Sequence, residues 1–129
     1  MGSKHFLEMK SWEEAREHCI EEQVRDDISM WDNYLTHDEA DLASLHSAAE
    51  FDFVVALDVG YAWLGAFRDP YNHSQFLWSD GSSWNYHNWA AGKPLDLGRD
   101  EDCVTFSVDH FKWNHHTCNK TRPFVCGYN

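Results

Sequence analysis

The sequence predicts an α+β domain. Helix-start signals and helical periodicity are confined to the N-terminal half, whereas from Tyr61 onward short apolar runs alternate with turn formers. A length of 129 residues suits one domain with its own core. Apolar residues make up 43% of the chain, and seven Trp, eight Phe and five Tyr give it enough buriable surface to offset the entropy of ordering.

Met1-Gly2-Ser3 reads as an expression scar, leaving 4–129 as the domain. Ser11 and Glu14 have capping-box spacing, and Trp12, Ala15 and Cys19 fall on one face of the helix that follows, so Cys19 points inward. The stretch 21–41 is acidic, with Asp26-Asp27, Asp32 and Asp38-Glu39, and is expected to form a solvated loop or a short extra helix. Trp31 and Tyr34 within it offer a surface for protein docking or homo-oligomer formation, against the plainer reading of a local packing anchor. Ser47 and Glu50 repeat the capping-box spacing ahead of Phe51, Val54 and Val55, which form a second apolar stripe. Strands are expected at Ala62–Ala66, Phe76–Trp78, Cys103–Ser107, Phe111–Asn114 and Phe124–Cys126, with Asp80-Gly81, Gly92 and Pro94 in the loops between them. No repeat, linker or low-complexity tract divides the chain.

With 22 acidic against 10 basic residues the formal charge is −12, which repels phosphate backbones and anionic lipid surfaces and argues against a nucleic-acid partner. Charged residues interrupt every hydrophobic stretch well short of the roughly 20 residues a membrane helix needs, so no membrane insertion is expected. The cysteines are Cys19, Cys103, Cys118 and Cys126, with no CxxC pair, which favours disulfides over a zinc ribbon or a redox dithiol but leaves three pairings open. The sequons Asn72-His73-Ser74 and Asn119-Lys120-Thr121 fit a secretory route. His110, His115 and His116 raise the idea of zinc, but neighbouring strand residues face opposite ways, so His115 and His116 would not share an ion. No Gly-x-Ser-x-Gly, phosphate loop or His-Glu-x-x-His is present, and nothing in the chain selects a catalytic pair of carboxylates, so the sequence reads as non-enzymatic.

Trp63-Leu64-Gly65-Ala66 is followed in order by Phe76-Leu77-Trp78-Ser79-Asp80-Gly81-Ser82, the span Trp84 to Trp89, Glu101-Asp102-Cys103-Val104, Lys112-Trp113-Asn114 and Pro123-Phe124-Val125-Cys126. Together these motifs resemble the C-type lectin family, from about Phe6 to Asn129, with 21–41 as an acidic insertion. The resemblance implies a C-type-lectin-like fold of two helices on antiparallel sheets with a long ligand-binding loop. It also implies disulfides Cys19–Cys126 and Cys103–Cys118 and a secreted or extracellular location. Trp63, Trp78, Trp89 and Phe124 then read as core packing rather than ligand contacts.

In sugar-binding members, calcium in the long loop is held by a Glu-Pro-Asn or Gln-Pro-Asp triplet, a following Glu, and the Asn-Asp of a Trp-Asn-Asp motif. The ion needs six to eight oxygens and leaves room for vicinal sugar hydroxyls. At those places this chain has Lys93-Pro94-Leu95, Glu101 and Trp113-Asn114-His115. Lys93 brings a like charge, Leu95 no side-chain oxygen, and His115 an imidazole better suited to zinc or copper, so no metal is expected at the principal position and no cofactor is called for. Asp69, Asp96 and Asp102 are weak candidates for a secondary calcium position, where Arg68 occupies the register of one ligand.

Lys93, Asp96, Glu101, Asn114 and His115 are expected to share one surface that takes a glycan or glycoprotein without calcium, as in invertebrate C-type lectins that this region resembles. The Lys93 ammonium would replace the ion's charge, and the other groups would meet sugar hydroxyls or an acetamido group. Alternatively, Lys93 pairs with Glu101 as an ordinary surface salt bridge and the module binds a protein ligand. Titration of His115 beside Glu101 would make binding pH-sensitive.

Overall fold

The computed structural model describes residues 2–29, 40–56, 60–95, 100–107 and 112–128. Along the chain these form β1 (Gly2–Lys10), α1 (Trp12–Ser29), β2 (Ala40–Leu42), α2 (Ala48–Val55), β3 (Tyr61–Arg68), β4 (Phe76–Trp78), β5 (Cys103–Ser107), β6 (Lys112–His116) and β7 (Arg122–Tyr128). This is an α+β fold, with α-helical elements early and most strands late.

Both helices start where the capping spacing places them. The Ser11 hydroxyl accepts from the Glu14 amide at 3.2 Å, and the Glu14 carboxylate accepts from the Ser11 amide at 3.1 Å, a reciprocal box that satisfies two otherwise orphaned donors. At α2 the Ser47 hydroxyl accepts from the Glu50 amide, but Glu50 reaches one residue further back, to the His46 amide at 2.8 Å. Trp12, Ala15 and Cys19 are buried along α1, as are Phe51 and Val54 along α2, each row at helical spacing.

The strands make one sheet in the order β1-β7-β3-β5-β6, with β2 added to β7 and β4 to β3. Pairing is antiparallel except between β3 and β7, where Trp63 faces Phe124 in parallel. Successive strand residues point to opposite faces, so Val104 and Phe106 join a cluster with Phe51, Val54, Leu64 and Trp113. Cys103 instead joins a second cluster with Trp12, Ala15, Trp63, Phe124 and Cys126. Each such large side chain stabilises the fold by about 1.5–3 kcal/mol through burial. Trp12 also crosses between elements, its indole N–H donating to the Leu64 carbonyl at 2.8 Å.

Disulfides join Cys19 to Cys126 and Cys103 to Cys118, the pairing implied by the family resemblance. Gly65 is required by close approach. Its amide donates to the Ala43 carbonyl and its carbonyl accepts from the Ser79 amide, and a Cβ there would lie 2.7 Å from the Leu42 carbonyl oxygen.

Several elements differ from the sequence expectation. Residues 2–10, which carry no clear strand signal, form β1, in which Gly2 and Ser3 pair with Tyr128 and Gly127. The first part of the acidic stretch neither loops out nor starts a new helix, because α1 runs on to Ser29. Asp41 at its other end is buried in β2, held by Arg16 and by the Ser79 hydroxyl at 2.8 Å. Trp31, Tyr34, Asp32 and Asp38-Glu39 lie outside the described residues. No helix among the described residues is long and apolar enough to cross a membrane.

Candidate functional site

The loop that leaves β4 lays down a floor of aromatic rings before it returns to β5. Trp84 packs on Trp78 at 4.7 Å between centroids, Trp89 packs on Phe76 at 4.8 Å, and Trp113 of β6 meets Trp84 and Trp89 edge to face at 6.0 and 5.9 Å. Trp78 and Trp113 are fully buried in this stack, whereas Trp84 and Trp89 are only partly buried and keep surface towards solvent. Rings locked edge to face in this way form a rigid, pre-ordered platform.

A turn then presents Lys93. The Lys93 amide donates to the Ala90 carbonyl at 3.0 Å, and Gly92, third of the four turn residues, has φ +79°, a conformation that favours glycine. The Lys93–Pro94 peptide is cis. Lys93 and Pro94 form one wall of a cleft of about 550 Å³ whose other walls include Phe76, Trp84, His87 and Trp89. The cleft thus combines an ammonium, an imidazole and partly exposed indoles. The sequence marks Trp89 as a packing residue and gives Trp84 and His87 no role; what would have distinguished all three is that their run carries neither helical nor strand periodicity.

Behind the cleft, His115 is buried, with 1% of its side chain exposed. Its Nε2 accepts from the Leu95 amide at 2.9 Å, and its Nδ1 faces the Glu101 carboxylate at 3.6 Å. Burial, followed by the Lys93 and Arg68 charges, holds the imidazole below its ordinary pKa against the opposing pull of Glu101. A neutral ring with the proton on Nδ1 fits both contacts.

Arg68, also buried, ties the loop to β3. Its Nε donates to Asp102 Oδ1 at 3.0 Å, one terminal nitrogen donates to the Leu95 carbonyl at 2.8 Å, the other reaches the His73 carbonyl, and the guanidinium lies 4.7 Å over the Phe76 ring. Of the secondary candidates, Asp102 is therefore engaged by a guanidinium, and Asp69 accepts from the Tyr71 amide at 2.8 Å.

The five residues expected on one surface are divided. Lys93 lines the aromatic cleft, and Glu101 and His115 pair behind it. Asn114 lies on the opposite face of β6 from His115, in a groove with Lys112 and His116, while its Oδ1 accepts from the His115 amide. Asp96 and His110 lie outside the described residues. Among the described residues no ion pair joins Lys93 to Glu101, whose carboxylate faces His115 instead. No group of three His, Cys, Asp or Glu placed to hold a metal occurs among the described residues. Asn72 and Asn119 of the sequons are both exposed.

Comparison with known proteins places this geometry. The profile of the lectin C-type domain matches residues 32–128. The chain is 30% identical to a lectin of Pleurodeles waltl over 97% of its own length and 68% of that protein. It is 33% identical to ladderlectin of Oncorhynchus mykiss, over 95% of the chain and 60% of that protein. With C-type mannose receptor 2 of Rattus norvegicus it shares 30% identity over 95% of the chain, but spans only 8% of the receptor. Among solved structures, the C-type lectin CEL-I from Cucumaria echinata superposes with a TM-score of 0.80 at 28% identity, covering 98% of this chain and 89% of that one. The cow CD23 carbohydrate-recognition domain, solved in the presence of a GlcNAc2Man3 oligosaccharide, gives 0.73 at 28% identity, covering 96% and 84%. The matched profile, the paired disulfides and the shared fold together show that this chain belongs to the lectin C-type domain family.

Proposed function

We propose that the domain is a carbohydrate-recognition module that binds a glycan in the cleft walled by Trp84, Trp89 and Lys93, without calcium at the family's principal position. The carrying observation is a lysine ammonium beside partly exposed indoles in a cleft large enough for a sugar. Sugar rings present apolar C–H faces that stack on indoles, and the ammonium donates up to three hydrogen bonds to hydroxyl or acetamido oxygens. Membership of a family with lectins among its relatives favours the same reading.

The donor set does not fit calcium. Lys93 offers nitrogen and a like charge, Leu95 has no side-chain oxygen, and His115 Nε2 is engaged by the Leu95 amide. The charge that orders the loop comes from Arg68, which holds the Leu95 carbonyl and the Asp102 carboxylate where a cation would otherwise gather oxygens. Binding, not catalysis, is the activity, and the disulfides suit a secreted or extracellular setting.

A glycan array read with and without chelator tests this. Binding should survive chelation, and Lys93→Ala should abolish it. Binding that vanishes on chelation overturns the calcium-independent mechanism. Silence on the array, with capture of a protein ligand, overturns the glycan reading.

A further inference from the structure

A second concavity, of about 430 Å³, lies on the opposite face of the sheet from His115, its lining a mixture of apolar surface and polar side chains. Its long axis follows from strand register. Tyr61 of β3 pairs with Ser107 of β5, Ser107 pairs with Lys112 of β6, and Arg122 of β7 stands beside Tyr61 with its guanidinium 5.2 Å over the phenol ring. Arg122, Tyr61, Ser107 and Lys112 therefore form one row across four adjacent strands, with a cation at each end. Three inter-strand spacings separate the end backbones by about 14 Å. That separation is within the span of a short oligosaccharide. Thr105, Asn114 and His116 line the next stretch of the same groove with hydroxyl, amide and imidazole.

Among the described residues no carboxylate pairs with the cation at either end. Lys112 donates to the Asn88 side-chain oxygen at 3.0 Å and Arg122 to the Thr121 carbonyl at 3.0 Å, and the ion pairs among the described residues involve other basic groups. His116 registers the local field. Burial first, then the Arg122 and Lys120 charges, hold its imidazole below the usual value, with Glu101 opposing. In a chain of net charge −12, a positive groove of this kind selects strongly for where an anion can settle.

We propose that this groove is a second ligand site, distinct from the Lys93 cleft, that takes a glycan segment carrying two sulfate or carboxylate groups. Arg122 and Lys112 meet the two anionic groups, and the hydroxyl and amide floor meets the ring oxygens and hydroxyls between them. The guanidinium can engage a sulfate or carboxylate through two parallel N–H bonds while stacked on Tyr61. Short donors and acceptors set among apolar surface from Tyr61 and Ala90 suit a sugar, whose rings carry both hydroxyls and C–H faces.

The intact, disulfide-bonded domain titrated calorimetrically with a heparin-derived tetrasaccharide tests the site, alongside the same sugar after desulfation and re-N-acetylation. The sulfated sugar should shift the Ser107, Asn114 and His116 amides, and the desulfated one, which can still enter the Lys93 cleft, should not. Lys112→Gln with Arg122→Gln should weaken binding at least about tenfold, from loss of two charge-assisted contacts. In the Lys93→Ala domain the Ser107, Asn114 and His116 shifts should keep an apparent affinity within about twofold of the unaltered domain, whatever is lost at the cleft, which separates this site from the glycan reading above. Amide shifts on titrating the unaltered domain should centre on Ser107, Asn114 and His116, a readout independent of whether the double variant folds. Unchanged affinity in the double variant, equal shifts at Ser107, Asn114 and His116 with the desulfated sugar or with a Glu-rich decapeptide, or shifts confined to Trp84–Lys93 would each overturn the proposal.

Discussion

Arg68 donates to the Leu95 carbonyl at 2.8 Å and thereby fastens the end of β3 to the long loop, two residues beyond Lys93. The same guanidinium holds Asp102 and lies over Phe76, so one buried side chain ties the long loop, the approach to β5 and the start of β4 together. Arg68→Gln should cost about 2–4 kcal/mol in urea unfolding, since it strips charge-assisted bonds and leaves carbonyls unmet. Addition of calcium should not restore the loss. Arg68→Lys should recover only part of it, because an ammonium lacks the planar fork that reaches three acceptors.

His115 makes stability sensitive to pH in a defined direction. Its folded value lies below the unfolded 6.5, so as pH falls the unfolded chain takes up the proton first. The domain should be stable and insensitive above this value and should lose stability as pH falls below about 6.5. His115→Gln, which can still accept from the Leu95 amide, should flatten the fall in Tm between pH 7 and pH 5. His5 and His116 are shifted the same way and should leave a residual slope.

Gly65→Ala should destabilise the domain by about 1–3 kcal/mol, the cost of overpacking at a backbone contact. The new methyl meets the Leu42 carbonyl oxygen at 2.7 Å and the Ser79 hydroxyl at 2.9 Å, and the carbonyl cannot swing away as a flexible side chain would. Equilibrium urea unfolding measures the difference.

Replacing each disulfide by a Ser pair should rank the two bridges. Cys19–Cys126 closes a sequence separation of 107 residues and Cys103–Cys118 one of 15. By the chain-entropy account, the losses are about 4–5 and about 3 kcal/mol respectively. Denaturant midpoints at matched slopes give the order.

How much of this was legible depends on whether the signal is local. Ser11 with Glu14 and Ser47 with Glu50 act over three residues, and both capped helices form where that spacing puts them. The strands β3, β4, β5 and β7 fall on the expected apolar runs, each extended or matched, and β6 is shifted to Lys112–His116. By contrast β1 is an edge strand whose Leu7 and Met9 are exposed, so alternation is blurred, and β2 has only three residues. The candidate site was misgrouped for a related reason. Asn114 and His115 are neighbours in the motif, but strand alternation sends them to opposite faces. Trp89 is read from the sequence as packing, and it does pack against the core while also walling the cleft, as does Trp84, which the sequence does not single out.

The Cys19–Cys126 bond also decides how the domain would bear tension. Pulled at its two termini, the chain could peel β1 from β7, where Gly2 faces Tyr128, and extend as far as Cys19. Beyond that point force would pass through sulfur directly to Cys126, bypassing every residue between them. Tyr61, Lys93, Lys112 and Arg122 all lie inside this covalent loop, so both proposed ligand surfaces would stay slack while the ends carried the load.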